Sequence, residues 1–500
     1  MEDIPKINRP SRIPITIGIP DYLRDHEFRG QAVLPAVEAM RVLAESATAF
    51  RDDCNTHTII NADFARFLNL EPGAAAIEAF TEIESHGTAI RSKLITVRKS
   101  GKTSISRGLE HASLTFDVGA GPTAMPPLDV TLGLEGVCLD LDRDRVYGDL
   151  IPFKNAYRNI EKMWVSEHGA LALVNSGTAK SPGGPLGSPF PLDASFHAAC
   201  VWGQRFCGIV GFPVHFDRRI IRNRTRAGES YMARIIPVSS AAGLLVFDLW
   251  IYDTAGELFE EVRGLHMKDV SDGTILPPPW IRADGTDLLE SIRARCADLS
   301  VIELATITKP CENILSGPER ERFSRMREKR GVSFLAARMA LKKLSRRLPG
   351  NDMNTPSHEI TTITDDGLPL CPLSNGSGAL YCTASHDSRF AVAAVSEHRI
   401  GIDVEAISER VLKGRQLYMH EEEIALADNH PLGTMEASIR VWTIKEAVAK
   451  ALGISLPEGW RKTRVYEIGN EKSDIRIDAA SHYTIHATVD GHVFTFVKLI

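Results

Sequence analysis

The chain has 500 residues, a length that suggests two to four domains rather than one. Its composition is 43% hydrophobic and 24% charged, and its formal net charge of −6 at pH 7 excludes a chain-wide nucleic-acid interface, which would need a basic excess. No stretch approaches about 18 uninterrupted apolar residues, and the first residues lack the pattern of a signal peptide, so we expect a cytoplasmic protein without a membrane partner.

Up to residue 271, two regions follow the same plan, a helix followed by strands. In the first, apolar residues recur near the helical period over residues 34–50, and strand-like segments follow at 89–97 and 113–116. In the second, residues 192–202 form a helix, and the segments 231–237 and 243–252 are rich in β-forming residues. These patterns predict an α+β region with a duplicated plan.

Three segments rich in glycine and proline are predicted connectors, at residues 119–128, 179–191 and 272–284. The third contains three consecutive prolines, which stiffen the chain and disrupt regular strand pairing. The main domain boundary is therefore predicted there.

Beyond this boundary, residues 319–348 are strongly helical, and two β-rich runs follow at 390–396 and 399–405. A further helix is predicted over residues 438–452, with Gly453 as its C-cap. Residues 318–347 contain eleven Lys and Arg but three Glu, which indicates either a solvated helix face or a surface for a negatively charged ligand. These elements predict a second α+β domain.

The first candidate site combines two short patterns, each at the start of the predicted helix of its region. One is His26-x3-Gly30-x4-Pro35, in which glycine permits close approach of the backbone to a ligand and proline suits the first turn of a helix. The other is Asp193-x3-His197, whose side chains share one helical face, so that the imidazole could orient the carboxyl group. Each pattern alone is common capping or surface chemistry, but their combination is unusual.

Together these patterns resemble the dehydratase domains of polyketide and polyunsaturated fatty acid synthases, whose halves carry HxxxGxxxxP and DxxxQ or DxxxH. Tyr147-Gly148 followed by Phe153 is similar to the YGxxF-type segment of that family, with a longer spacing. The resemblance covers roughly residues 10–270. It implies a double-hotdog fold, in which antiparallel sheets wrap two central helices, and dehydration of 3-hydroxyacyl thioesters held by an acyl carrier protein.

For this chemistry, His26 is the expected general base, because a neutral imidazole is basic at cellular pH. Asp193 is the expected general acid, provided that burial raises its pKa, and His197 would orient it. The amide of Gly30 would bind the thioester oxygen. A product-template cyclase, a hotdog thioesterase and an inactive module that docks carrier proteins remain as alternatives.

The second candidate site is rich in carboxylates and lysines. Asp403 and Glu405 lie two residues apart in a predicted strand and therefore on one face of it. Downstream, Lys445-Glu446-x3-Lys450 supplies a third carboxylate beside two lysines. A solvated strand end and an ordinary helix salt bridge also explain these residues.

The sequence GIDVE at 401–405, followed by WxxKEAxxKALG at 442–453, resembles the Sfp-type 4′-phosphopantetheinyl transferases over about residues 300–490. The resemblance implies that Asp403, Glu405 and Glu446 bind Mg²⁺ against the pyrophosphate of coenzyme A, the phosphopantetheine donor. It also implies that Glu446 deprotonates the serine of the carrier protein.

Four further residues are implied contacts of coenzyme A. The two lysines, 445 and 450, would neutralise phosphate charge, and the pair Ser385-His386 matches an SH element that contacts the nucleotide, with His386 at its 3′-phosphate. The basic residues 320–347 are a candidate surface for these phosphates or for an acidic carrier protein. The family commonly has Gly-Lys-Pro where this chain has Gly367-Leu368-Pro369, so one phosphate-contacting lysine is missing.

The complete prediction is an α+β protein with an N-terminal double-hotdog dehydratase fold and a C-terminal α+β transferase fold of two pseudo-repeats. The predicted divisions are residues 1–118 for the first hotdog, 130–271 for the second, 272–299 for a linker and 300–500 for the transferase. The expected partners are an acyl carrier protein in its apo and acyl-holo forms and other synthase subunits. A homodimer through the dehydratase is a further expectation.

Overall fold

The structure is a computed structural model that describes residues 10–99, 106–117, 130–177, 184–241, 243–283, 287–372 and 380–499. It divides into two compact units. The first comprises Met1–Val130 and Cys138–Asp284, and the second comprises Thr131–Val137 and Gly285–Ile500. The division at residues 284 and 285 falls within the predicted linker, but Thr131–Val137, which the sequence assigned to the second hotdog, belong to the second unit. The predicted connector at 119–128 and part of that at 179–191 lie outside the described residues.

The first unit is built mainly of antiparallel strands. In chain order its strands β1 to β14 are Ser11–Gly18, Glu27–Phe28, Gln31–Ala32, Thr58–Asp63, Ala76–His86, Ala89–Lys99, Ser106–Phe116, Leu139–Asp142, Ile160–Ser166, Gly169–Asn175, Phe212–Ile221, Ser230–Ala241, Leu244–Asp253 and Leu258–Lys268. Its helices α1 to α3 are Ala36–Phe50, Arg143–Arg145 and Phe190–Cys207.

Twelve of these strands, among the described residues, form one sheet in the order β1-β5-β6-β7-β4-β11-β14-β13-β12-β10-β9-β8, and β2 and β3 form a separate hairpin. The first five strands come from the region of α1 and the other seven from the region of α3. The two half-sheets join where β4 pairs antiparallel with β11. The duplicated plan and the double-hotdog fold predicted from the sequence are therefore confirmed.

The two long helices, α1 and α3, pack against the sheet through their apolar side chains. In α1 the buried positions Val37, Met40, Ala44 and Ala47 recur at helical spacing. The helix begins after Pro35, two residues later than the sequence predicted. In α3 nearly every side chain is buried, and Gly208 ends the helix with a left-handed φ of 67°.

The second unit contains two sheets and seven helices among its described residues. Its strands β15 to β22 are Asp298–Glu303, Tyr381–His386, Phe390–Ser396, Arg399–Ala406, Thr463–Glu467, Lys472–Ile477, Ala480–Val489 and His492–Leu499. Its helices α4 to α10 are Glu290–Arg293, Gly317–Phe323, Glu328–Arg347, Arg415–Tyr418, Glu421–Asp428, Thr434–Leu452 and Leu456–Lys462.

Each sheet of the second unit has one long helix. The sheet β15-β17-β16 shares a hydrophobic core with α6, and the sheet β18-β22-β21-β20-β19 packs against α9. This arrangement agrees with the predicted pseudo-repeats. The adjacent runs β17 and β18 belong to different sheets, and the helix predicted over 319–348 is interrupted between α5 and α6.

Within the described part of the chain, the helices are too short or too polar to traverse a lipid bilayer.

Candidate functional sites

The first candidate site is a cavity of about 370 Å³ in the first unit. His26, Asp193 and His197 all line it, so residues from both halves of the double hotdog meet at one place. Most of the other lining side chains are apolar, among them Leu34, Leu68 and Phe196. An acyl chain could therefore occupy a space that ends at three polar groups.

Phe153 separates the two histidines of this site. Its ring centroid lies 4.3 Å from that of His26 and 4.9 Å from that of His197. Tyr157 also packs against His26, edge to face, with its ring centroid 5.1 Å away. The aromatic rings thus pack against both imidazoles and restrict their orientation.

Burial lowers the pKa of His26 to about 4, because loss of solvent disfavours the charged imidazolium. The negative charge of Asp193 raises this pKa, and the positive charge of protonated His197 lowers it further. Both effects are smaller than that of burial. His26 is therefore neutral near pH 7 and can accept a proton.

Tyr147, whose role the sequence left open, orients His197. Its hydroxyl oxygen accepts hydrogen bonds from the backbone N–H groups of Asn159 and Ile160, at 3.0 and 2.9 Å. Its own hydrogen is then free to bond Nδ1 of His197, 3.2 Å away. In that arrangement the proton of the neutral imidazole is on Nε2, which faces Asp193.

Asp193 and His197 lie on one face of α3, as their spacing predicts. Nε2 of His197 is 3.0 Å from Oδ2 of Asp193, but the angle between them is outside hydrogen-bond geometry. Neither atom has a hydrogen-bond partner among the described residues. His197 is thus close enough to the Asp193 carboxyl group to influence its orientation.

Gly30 takes a different position from the one its motif suggested. It lies with Arg29 in the two-residue turn between β2 and β3, where both residues have positive φ values of 74° and 52°. The positive φ of Gly30 favours glycine at this position. Close packing does not require it, since a Cβ atom at Gly30 would meet nothing within 4 Å. Gly30 is exposed and is not among the residues that line the cavity, so a role for its amide stays a prediction.

The second candidate site lies where β18 crosses α9. A Cβ atom on Gly401 would be 1.8 Å from the carbonyl oxygen of Ala447, so only glycine permits this close crossing. The crossing brings Asp403 and Glu405 of the strand to Glu446 and Lys450 of the helix.

Asp403 is buried and anchored by two donors. Its Oδ1 accepts hydrogen bonds from Oγ of Ser385 and Nζ of Lys450, both at 2.7 Å. Lys450 also donates to Ser385 Oγ at 2.9 Å and lies 4.0 Å from Glu446. Ser385 and Lys450 thus hold one oxygen of Asp403, while its buried Oδ2 has no partner among the described residues.

The three carboxylates repel one another. The pKa of Glu405 is raised to about 7 by burial and by the charge of Asp403, and that of Glu446 is raised to about 7 by the same two causes. An unpartnered buried oxygen and two carboxyl groups that resist ionisation fit a site for an added cation. As they stand, however, no three His, Cys, Asp or Glu side chains in the described ranges are arranged to hold one metal ion.

The expected phosphate contact of Lys445 needs correction. Its side chain is 0% exposed and bonds Glu423, which is 1% exposed, at 2.7 Å. It also donates to the carbonyl oxygen of Tyr418 at 2.6 Å. Lys445 is therefore a structural cation inside the unit, and only Lys450 of the two lysines reaches the carboxylates.

His386, by contrast, is exposed at the end of β16, next to Ser385. Its pKa is lowered, first because part of the ring is shielded from solvent and second by the charge of Lys450, with a smaller effect of Arg330. Arg330 belongs to the basic segment 320–347. In the same segment Arg338, Lys342 and Arg346 are buried, so only part of that segment offers cations to a ligand.

Sequence reasoning missed Asp387 and Glu423. Asp387 directly follows His386, contacts His492 and contributes to the raised pKa of Glu405. Its position after the Ser385-His386 pair was a usable signal. The role of Glu423 depends on its burial against α9, for which the sequence has no local signal.

Comparisons with known proteins agree with this division. Residues 148–275 match the model of the polyketide synthase dehydratase N-terminal domain, and residues 399–497 match that of the 4′-phosphopantetheinyl transferase superfamily. This chain therefore joins a region similar to polyketide synthase dehydratase domains to a region similar to 4′-phosphopantetheinyl transferases.

Among curated proteins, the 4′-phosphopantetheinyl transferase gsp of Aneurinibacillus migulanus is 36% identical over 75 residues, which are 15% of this chain and 32% of that protein. The chain thus spans about a third of the length of this relative. Similar solved structures include the dehydratase domain of a mycocerosic acid synthase-like polyketide synthase, with 18% identity, a TM-score of 0.43 and coverage of 53% of this chain and 93% of that chain. An N-terminal dehydratase from the difficidin assembly line has 14% identity, a TM-score of 0.41 and coverage of 52% and 94%.

Proposed function

We propose that the dehydratase domain converts 3-hydroxyacyl thioesters on an acyl carrier protein into enoyl thioesters. The observation that carries this proposal is the meeting of a neutral histidine, His26, and a buried carboxyl group, Asp193, in one mostly apolar cavity. Removal of water from such a substrate needs a base at C2 and an acid at the C3 hydroxyl, and these two groups supply them.

In the proposed reaction, the unprotonated nitrogen of His26 takes a proton from C2. The electrons of that C–H bond form the C2–C3 double bond, and the C3–O bond breaks. Asp193, in its protonated form, donates its proton to the departing hydroxyl, which leaves as water. His197, held by Tyr147, keeps the Asp193 carboxyl group oriented.

We further propose that the transferase domain moves 4′-phosphopantetheine from coenzyme A to a serine of a carrier protein. Asp403, Glu405 and Glu446 would hold Mg²⁺, which supplies charge neutralisation at the pyrophosphate when bound. Lys450 orients Asp403 and adds positive charge, and His386 would contact the nucleotide. Glu446 takes the serine proton, the serine oxygen bonds to phosphorus, and adenosine 3′,5′-bisphosphate leaves.

The partners of both reactions would be carrier proteins, apo for the transferase and acyl-holo for the dehydratase, with other synthase subunits as suppliers of the acyl chain. We place the protein in the cytoplasm, where coenzyme A and reduced carriers are available.

The decisive experiment incubates the full chain with Mg²⁺, coenzyme A and candidate apo-carriers and records the carrier mass. Asp403→Ala should abolish the phosphopantetheine mass increase but leave dehydration of a 3-hydroxyacyl carrier intact, and His26→Ala should do the opposite. Carrier binding without any mass increase would instead favour a docking module, and a cyclised or hydrolysed product would favour a cyclase or a thioesterase over the dehydratase.

A further inference from the structure

Two exposed arginines line the dehydratase cavity, and the proposed dehydration does not use them. Arg29 is at the tip of the hairpin formed by β2 and β3, and Arg66 lies in the segment that follows β4. Exposed side chains mark the part of a cavity that meets solvent. These two arginines therefore lie at the mouth of the cavity.

Contacts between phenylalanine rings bring the two arginines together. Phe28 precedes Arg29, Phe67 follows Arg66, and the centroids of these two rings are 4.7 Å apart. The ring of Phe212 packs against both, at 5.1 and 6.1 Å between centroids. All three phenylalanines line the cavity. Its mouth thus combines an apolar aromatic surface with two cations.

Arg29 is fixed in place at the hairpin tip. Its φ of 52° is a left-handed conformation that residues other than glycine seldom adopt. Its guanidinium donates hydrogen bonds to the carbonyl oxygen of Ser271, at 2.6 Å, and to Oγ1 of Thr274. Both bonds come from one nitrogen, so the other N–H groups remain available for a ligand. Backbone conformations of this kind cluster at ligand sites, where the surroundings hold them.

Little negative charge offsets the two arginines at the mouth. Glu27 also lines the cavity, but its carboxylate pairs with Lys154. Asp269 lies near Arg29, and its two oxygens accept hydrogen bonds from backbone N–H groups, each at 2.7 Å. Arg66 forms no ion pair with an acidic side chain in the described part of the chain. The mouth therefore offers positive charge to an anionic group.

The position of the arginines suits the far end of the arm that carries the substrate. His26 precedes Arg29 by three residues of extended chain. At ~3.3 Å per residue, the hairpin tip lies about 10 Å from His26, and the arginine side chain extends farther. On a carrier protein the acyl group is attached to the sulfur of phosphopantetheine, and the only charge of that arm is the phosphate at its other end.

We propose that Arg29 and Arg66 bind the phosphate of the phosphopantetheine arm, so that the dehydratase prefers thioesters that carry this phosphate over thioesters that lack it. The proposal rests on the dehydratase function above and names the anionic group by which that site recognises its substrate. Guanidinium groups donate paired hydrogen bonds to phosphate oxygens. The two arginines touch the substrate away from the reacting carbons and determine specificity without taking part in proton transfer.

The test compares one 3-hydroxyacyl chain as the thioester of 4′-phosphopantetheine and as the thioester of pantetheine, which differ only in the phosphate. For the full-length wild type, kcat/KM of dehydration should be roughly 10- to 100-fold higher for the phosphorylated thioester, as expected for hydrogen bonds to a charged group. Arg66→Gln should lower this ratio about tenfold, mainly through a higher KM for the phosphorylated thioester. The double variant Arg29→Asn/Arg66→Gln should bring the ratio close to one.

Arg91→Gln is the matched control, because Arg91 is an exposed arginine of β6 that does not line the cavity. It should leave the ratio at the wild-type value. Asparagine is chosen at position 29 because it adopts positive φ values more readily than most residues. If the double variant fails to fold, Arg66→Gln alone decides the proposal.

Equal kcat/KM values of the wild type for the two thioesters would overturn the inference while the dehydratase function stands. An effect of Arg66→Gln confined to carrier-bound substrate would also overturn it, because the arginine would then contact the carrier protein itself. If neither thioester is dehydrated, the proposed function fails, and binding of both thioesters to the wild type and to Arg66→Gln decides the inference. A wild-type preference for the phosphorylated thioester that Arg66→Gln lacks would support it, and the absence of that preference would refute it.

Discussion

Replacing Lys445 by methionine should destabilise the transferase domain rather than weaken its contact with coenzyme A. The ammonium group bonds Glu423 at 2.7 Å, and the two side chains are 0% and 1% exposed. Without it, Glu423 would keep only the backbone N–H groups of His420 and Val465, at 2.8 and 2.9 Å, as partners for a buried charge. Breaking a buried pair on one side costs about 3–5 kcal/mol.

This magnitude can be measured by hydrogen exchange in the full-length protein. Because every ~1.4 kcal/mol is a factor of ten, amides of α9 that exchange through unfolding of this domain should exchange roughly 100- to 4,000-fold faster in Lys445→Met. The double variant Glu423→Gln/Lys445→Met removes both charges and should recover a large part of the loss. The KM for coenzyme A should stay unchanged wherever the variant remains folded.

A matched control is Lys462→Met, which removes an exposed lysine paired with Glu458 at 3.0 Å in α10. It should leave exchange in α9 unchanged. Normal exchange in Lys445→Met together with a tenfold higher KM for coenzyme A would refute the structural role of Lys445 and restore it as a phosphate ligand.

Three further outcomes are expected. Because the pKa of His26 is lowered to about 4 and only its neutral form accepts a proton, kcat/KM of dehydration should show no loss from pH 7 down to about pH 5 and should fall near pH 4; a fall centred on about 6.5, the ordinary value, would contradict this. Tyr147→Phe leaves the N–H groups of Asn159 and Ile160 without an acceptor, so thermal unfolding should show a loss of about 1–3 kcal/mol, with slower dehydration as His197 loses its fixed tautomer. Gly453→Ala should cost about 1–2 kcal/mol in urea unfolding because φ is 67° at this helix end, and an unchanged midpoint would show that the cap is dispensable.

Local chemistry made much of this protein readable before its fold was known. Helical and strand periodicity located α1, α3, β17, β18 and α9 to within a few residues, and Gly453 ends its helix as the sequence predicted. These features depend on residues close together in the chain, whose propensities act locally.

The two lysines of α9 show a signal that was present but not used. Residues five apart on a helix point about 140° away from each other, whereas residues four apart share a face. Lys450 therefore lies with Glu446, and Lys445 points into the interior toward Glu423. The five-residue spacing between Lys445 and Lys450 was by itself enough to argue that the two lysines do not both contact phosphate.

The amino-acid sequence by itself determined the two-domain plan, the duplicated hotdog and the residue types of each site. Only the tertiary structure decided that Gly30 serves a hairpin turn, that Tyr147 holds His197, and that Lys445 pairs with Glu423. The physical reason is that burial, strand register and the pairing of polar groups arise between segments distant in the chain. No local pattern encodes which of these groups is left without a partner.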